Sequence, residues 1–505
     1  MLFNSLTYLL FMLIAVPLVV FGPKLVRNGT ILLGSLAFYG FWRPDFLALI
    51  IFTAFVDYTA GKHIAATSVQ STKRLWLVLS ISLNLLVLAF FKYTYFLAGA
   101  GDSILHTLGI DSHMYDGVRN AITIILPLGI SFYTFESMSY TIDVYRGVQA
   151  PVRNFRVFQN FVMFWPKLIA GPILRTSELV PQLENYKRPT KGEVAYGLEE
   201  ILQGLFKKLV IADSVAPLVD AGFALPPSQL GMLDAWTLAF MFGFQIYFDF
   251  AGYSTIALGS ARVMGFQFPR NFNWPYLATS PRDFWRRWHI SLSTWIRDYL
   301  YLPLQGVAFR GGSGQDGKGG RASPAAPKSE DAAGKVNEDA SEARRTFALL
   351  ATWFIMGLWH GAAWTFAAWG VWHAFLVLGH RFTEGLRIKL PMWFRVVGGW
   401  AFTVSFSMLG WIFFRAQSME QALTMVARAF DVRTIRTMAL RENVYLTAAV
   451  VMIGFLLTAG VWNLNQRGKI PAWIKLPGIV VVHGILIMLV FVYLRQVKSF
   501  IYFQF

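Results

Sequence analysis

Residues Arg282–Tyr301 read RDFWRRWHISLSTWIRDYLY, and the reading of the whole chain turns on this stretch. Six charged side chains and a histidine sit among three Trp, one Phe and two Tyr. Placed on a helix, Asp283 and Arg287 are i,i+4 partners, Arg286 and Trp285 fall three and four residues before His289, and Arg297 continues the polar side two turns on. Trp285, Trp288, Trp295 and Tyr299 are the amphipathic side chains of a membrane interface. A surface helix whose charges meet lipid headgroups accounts for much of this pattern. It does not account for a histidine set between Arg and Trp.

The chain around this stretch is oily. Of 505 residues 55% are hydrophobic and only 14% charged, against roughly 25% charged in soluble proteins. Apolar runs able to cross about 30 Å of hydrocarbon recur along the whole length. They are too long and too continuously apolar for the ten-residue alternation of a membrane barrel. The fold class expected is therefore an all-α polytopic membrane protein. Spans are expected near 5–21, 30–41, 46–60, 75–98, 119–135, 157–174, 200–222, 233–250, 252–264, 347–364, 366–380, 394–414, 443–462 and 477–495. About eleven of them should cross, and the rest should be re-entrant or amphipathic, since irregular backbone is tolerated where protein buries it. The first span lacks a basic flank and a small-residue cleavage site, so it reads as a retained helix.

No cysteine is present, which excludes a disulfide framework and a thiol nucleophile. The net charge of +17 would suggest nucleic acid on a soluble protein. Here cytoplasmic loops rich in Lys and Arg explain it, and no nucleic-acid partner is expected. The basic loops after the first, third and fifth spans place the N-terminus outside and put Arg282–Arg297 on the cytosolic side. Such a cationic face also suits a phosphorylated donor. Gly311–Ala343, GGSGQDGKGGRASPAAPKSEDAAGKVNEDASEA, has no large apolar residue except Val336 and reads as a flexible polar loop inserted in a single domain, residues 1–505.

A second histidine stretch, Phe354–Phe375, reads FIMGLWHGAAWTFAAWGVWHAF. His360 stands in an apolar run with no charge between Phe347 and His380, and an ionisable residue at membrane depth is a functional candidate by default. Gly357 and Gly361 allow a backbone or a ligand to approach it. A core imidazole bonded to a carbonyl is the plainer alternative, and for His373, between Trp372 and Phe375, helix packing is the better reading. No HExxH spacing or His/carboxylate cluster points to a metal. Glu136 and Asp249 are read as polar lining of a tunnel, Tyr133 and Tyr140 as interhelical hydrogen-bonding groups.

Taken together, FWRRWHISLSTWIRDYLYLPL (Phe284–Leu304), GLWHGAAWTFAAWG (Gly357–Gly370), LPLGISFYTFESMSYTIDVYRG (Leu126–Gly147), FWPKLIAGPILR (Phe164–Arg175), QIYFDFAGYSTIALG (Gln245–Gly259) and the tail FIYFQF (Phe500–Phe505) resemble the membrane-bound O-acyltransferase family. The closest branch is the bacterial one typified by the alginate O-acetylation membrane subunit, and the resemblance covers nearly the whole chain. The one departure is the polar insertion after Leu304, which lies between the two histidines. The resemblance implies helices around a central tunnel and transfer of acetyl from cytosolic acetyl-CoA for O-acetylation of an exported polysaccharide, alginate first among them. It further implies periplasmic or membrane-anchored partner proteins that complete the transfer, and a bacterial inner membrane. It makes His360 the catalytic residue.

The residues fit that assignment. Acyl transfer to a hydroxyl needs a base, and a neutral imidazole suits the task near pH 7. On this reading His360 is the general base and His289 holds the thioester or its leaving group. Arg286, Arg287 and Arg297 meet CoA phosphates, with Trp285 and Asp249 in the same donor site and Lys207 and Lys208 as further phosphate candidates. No permanently bound cofactor and no metal are expected. Two other classes stay open on the residues alone. A secondary transporter would also carry polar midplane residues, although the internal duplication it needs is not evident. A non-catalytic scaffold of an export machine would tolerate substitution of both histidines.

Overall fold

The computed structural model describes residues 1–306, 341–385, 391–494 and 500–501. The polar insertion expected at Gly311–Ala343 lies almost wholly outside the described residues. Among the described residues the chain is helical and contains no β-strand. Among the described residues five helices are long and apolar enough to cross a membrane by themselves: Pro44–Ala66, Gln70–Thr107, Met392–Arg415, Glu442–Gln466 and Trp473–Tyr493. The last two leave most of their apolar surface uncovered by protein, as lipid-facing helices do.

Two expected spans take a different form. At 119–135 the chain makes a short helix, Met114–Ala121, then runs extended, and a new helix Ile130–Tyr145 starts behind Pro127 and the left-handed Gly129 (φ 72°). Proline lacks the donor and glycine supplies the turn, so the helix cannot begin earlier. At 157–174 two short helices, Phe155–Met163 and Trp165–Leu168, lead into irregular chain through Arg175. Pro166, Gly171 and Pro172 break the ladder there, and the segment is buried by protein throughout.

The expected break between 233–250 and 252–264 does not exist. Met232–Val263 is one helix, buried along almost its entire length, and it forms the hub of the molecule. Gly252, inside this helix, serves close packing. Gly197 and Gly204 of the helix Lys191–Leu205 face Gly259 and Gly252 in antiparallel register. A Cβ on Gly204 would lie 2.7 Å from the Gly252 carbonyl oxygen, and one on Gly197 would lie 3.0 Å from that of Gly259. Small residues let two backbones meet where apolar lipid gives side chains no reason to associate.

The Arg/Trp stretch is not one helix. Ser280 caps a helix Pro281–Arg287, its hydroxyl accepting from the Asp283 N–H at 3.1 Å, with Pro281 in the first turn. The helix stops at Trp288, His289 adopts left-handed backbone (φ 41°, ψ 56°), and a new helix runs Ile290–Ile296. The stop comes from outside the stretch. The Ile290 N–H donates to the Asn271 carbonyl and the Asn273 N–H to the Arg287 carbonyl, both at 2.9 Å. Two residues of extended loop thus take the place of the missing helical bonds.

Candidate active site

His289 is fully buried. Its Nδ1 lies 3.1 Å from the Asn271 Oδ1, which also accepts from the Ser291 N–H at 3.2 Å and the Ser291 hydroxyl at 2.9 Å. Because a backbone N–H bonds to that oxygen, it is the acceptor of the amide. The Nδ1 of His289 therefore carries the proton and Nε2 carries the lone pair. Nε2 has no hydrogen-bond partner among the described residues. The Asn271 amide nitrogen donates to Ser254 Oγ at 3.1 Å, and Ser254 donates to the Ala170 carbonyl at 3.1 Å. Ser291 Oγ accepts from the Ile173 N–H at 3.0 Å. The irregular chain after Leu168 is thereby tied to the same hub.

His360 is the last residue of the helix Glu342–His360. The glycines beside it serve a backbone, not a ligand: a Cβ on Gly357 would collide with the Phe366 carbonyl and one on Gly361 with the Phe366 ring. The next helix, Trp364–Gly385, thus packs directly under the histidine. The His360 ring stands 4.9 Å from Trp359, 4.9 Å from Trp369 and 5.3 Å from Phe414, centroid to centroid. The last carbonyls of a helix lack internal partners, and here another helix supplies them. Lys92 Nζ donates to the carbonyls of Trp359 and, at 3.0 Å, His360, while the Tyr93 hydroxyl donates to Leu358 at 2.9 Å.

The two histidine stretches interlock. Trp285 meets Trp353 at 4.5 Å, His373 at 5.1 Å and Trp369 at 5.8 Å. Phe132 lies 6.2 Å from the His289 ring and 5.7 Å from Trp359, and Phe250 lies 4.6 Å from His289 and 5.6 Å from Phe500. His360, Lys92, Phe132, Trp359 and Phe500 line one cavity of about 50 Å³. His289 is not on its wall but one aromatic ring away. The two imidazoles thus flank one small pocket, His360 on its wall and His289 behind Phe132.

The other expected site residues divide. Arg286 is exposed, and Arg287 is half-buried and held by Asp283 at 2.9 Å, the pair expected. Arg297 pairs with Asp298 at 2.7 Å, and Asp298 also binds Arg175. Arg146 joins them, donating to the Asp298 carbonyl at 3.4 Å, and Arg146 and Arg175 both lie over the Tyr299 ring. Arg297 therefore belongs to a guanidinium cluster with Arg146 and Arg175, two residues the donor assignment lacked, although Arg175 ends a stretch quoted for the resemblance.

Four of the expected residues are engaged by the protein itself. Trp285 is packed in the seam between the two histidine stretches. Asp249 accepts from Lys208 at 2.8 Å and from the Ile501 N–H at 2.8 Å, so both its oxygens are occupied by protein. Lys208 also binds Asp213 at 2.9 Å and is buried, out of reach of a phosphate. Glu136 forms a buried pair with Lys167 and accepts from the Leu174 N–H at 3.0 Å, which anchors the irregular chain and lines nothing. Lys207 bonds Thr255 at 3.2 Å. His373 packs among aromatic rings, as expected of it.

A family model described as the membrane-bound O-acyltransferase family matches residues 153–315. A probable alginate O-acetylase of Azotobacter vinelandii is 38% identical over 472 residues, covering 92% of this chain and 85% of the relative. The chain belongs to the membrane-bound O-acyltransferase family. A probable alginate O-acetylase of Pseudomonas aeruginosa is 36% identical over 484 residues, 94% of this chain and 84% of the relative. A peptidoglycan O-acetyltransferase of Helicobacter pylori is 33% identical over 419 residues, 78% of this chain and 72% of the relative. As a member of this family the protein is a multi-pass membrane acyltransferase.

Proposed function

We propose that this acyltransferase takes acetyl from cytosolic acetyl-CoA and moves it across a bacterial inner membrane for O-acetylation of an exported polysaccharide, alginate being the favoured acceptor. Partner proteins, periplasmic or membrane-anchored, complete the transfer. Relatives named as alginate O-acetylases, similar over most of their length, support the acceptor class. The observation that carries the chemistry is the placement of His360 on a pocket of about 50 Å³ beside a buried second imidazole. That space suits a group of acetyl size.

In the proposed step the His360 imidazole takes the proton of an acceptor hydroxyl. The hydroxyl oxygen attacks the thioester carbonyl, the C–S bond breaks, and the departing thiolate collects the proton from the imidazolium. His289, its ring fixed by Asn271, holds the thioester side. Arg146, Arg175 and Arg297, with exposed Arg286, receive the CoA phosphates. A second reading exchanges the imidazoles, because the free lone pair on His289 Nε2 is itself fit to accept a proton.

The test is turnover of radiolabelled acetyl-CoA by protein in nanodiscs, with donor binding measured alongside. His360→Ala should lose turnover while its donor Kd stays within threefold, and His289→Ala should chiefly raise the donor KM. Exchange of the two patterns supports the second reading. Unimpaired turnover in both variants sinks the base assignment and favours a scaffold.

A further inference from the structure

Lys92 stands near the middle of the apolar helix Gln70–Thr107, whose length alone exceeds a bilayer. A charge at that depth is costly and is retained where it does something. Buried cations are ordinarily matched by a carboxylate. Lys167 and Lys208 follow that rule, each with an acidic partner. Lys92, half-buried, has no such partner: among the described residues no carboxylate lies within 4 Å of its Nζ, and its partners are the neutral carbonyls of Trp359 and His360. An ammonium has three donors and two are engaged. Lys92 also lines the chamber on which His360 stands.

We infer that the third Lys92 N–H and the uncompensated charge serve the oxyanion that forms in the chamber, which makes Lys92 a catalytic residue alongside the base. The inference rests on the acyl-transfer reading above. When an acceptor oxygen adds to the thioester carbonyl, the π electrons move onto the carbonyl oxygen and the hydroxyl proton goes to imidazole. The oxyanion, held by the ammonium, re-forms the C=O bond as the thiolate leaves and takes up the proton. A fixed cation in a dry site stabilises such a charge without solvent reorganisation. The same two carbonyl bonds that satisfy the end of the His360 helix fix the distance between cation and base.

Three variants test this in nanodiscs with acetyl-CoA and, separately, a neutral and a uronate oligosaccharide acceptor. Lys92→Gln keeps donors for the two carbonyls and loses the charge; kcat should fall about 100-fold or more with both acceptors while donor KM stays within threefold. Lys92→Arg keeps charge and donors and should retain activity to within about tenfold. Lys92→Met should behave as Lys92→Gln; if it fails to fold, Lys92→Gln carries the test. A kcat for Lys92→Gln within threefold of wild type overturns the inference. So does a loss confined to the uronate and to its KM, which would make Lys92 a holder of the acceptor's carboxylate. Equal loss in Lys92→Gln and Lys92→Arg together with lost donor binding assigns Lys92 a purely structural part and also overturns it. A wild-type protein that turns over no acetyl thioester sinks the transferase reading itself, and the inference with it.

Discussion

Exchanging Asn271 for alanine removes the acceptor shared by His289 Nδ1, the Ser291 N–H and the Ser291 hydroxyl. The hydroxyl can turn, which leaves two buried donors unmet. At about 1–3 kcal/mol for each unmet donor the loss of stability is about 2–6 kcal/mol. The left-handed break itself survives, because the Ile290 N–H bonds to the backbone carbonyl of residue 271 and not to its side chain. What changes is the imidazole: with no acceptor at Nδ1 it loses its single tautomer and its orientation. The donor KM in nanodiscs should rise about 100-fold, equivalent to about 2.7 kcal/mol of lost donor-side interaction. Asn271→Asp keeps the acceptor and gives up the 3.1 Å bond to Ser254, so its KM should recover to within about tenfold of wild type. If Asn271→Ala keeps a donor KM within threefold of wild type while His289→Ala raises it, the orientation of this ring is irrelevant and the reasoning fails.

Three further substitutions probe other parts of the architecture. Gly204→Leu forces a Cβ to 2.7 Å from the Gly252 carbonyl and should abolish a monodisperse extract, whereas Gly460→Leu, with nothing within 4 Å, should be silent; equal behaviour of the two in size-exclusion chromatography refutes the glycine seam. Asp249→Ala strips Lys208 of one carboxylate and the Ile501 N–H of its acceptor, and should cost about 3 kcal/mol, read as a lower melting midpoint in detergent; an unchanged midpoint refutes the structural role given to this pair. Arg175→Met should raise the donor KM about tenfold at low salt with kcat within twofold, and the difference should shrink as salt screens the phosphates; a KM unchanged at low salt removes Arg175 from the donor site.

The two histidine stretches were legible because their chemistry is local: an ionisable ring in an apolar run is conspicuous in one dimension. Their meeting was not legible from spacing and came from resemblance. Lys92 was legible by the same rule as His360, since it is a single cation within an apolar run, yet it was not among the residues singled out. Asn271 carries no periodic signal at all. It matters because residues 271–273 zip against residues 287–290, and that pairing creates the left-handed histidine. Asp249 and Glu136 were misread for a related reason. Helical spacing shows which face a carboxylate occupies, but not that a lysine from a distant element, Lys208 or Lys167, waits on that face.

Three features around the chamber each oppose folding. A non-glycine residue in left-handed backbone costs about 1–2 kcal/mol, and His289 bears it. The Lys92 ammonium at membrane depth has no counter-charge among the described residues, and the His289 Nε2 lone pair is buried and unmet. A glycine at 289 would relax the first and the last, and a leucine at 92 the second, so selection for stability alone has simple exits. All three instead converge on one aromatic shell, while the equally buried pairs Glu136–Lys167 and Asp249–Lys208, outside it, are fully matched. An unmet lone pair and an ammonium without a counter-charge, set beside two imidazoles and a cavity, are what a site that develops transient charge during turnover requires, because the fixed groups are then compensated by the charge that forms there.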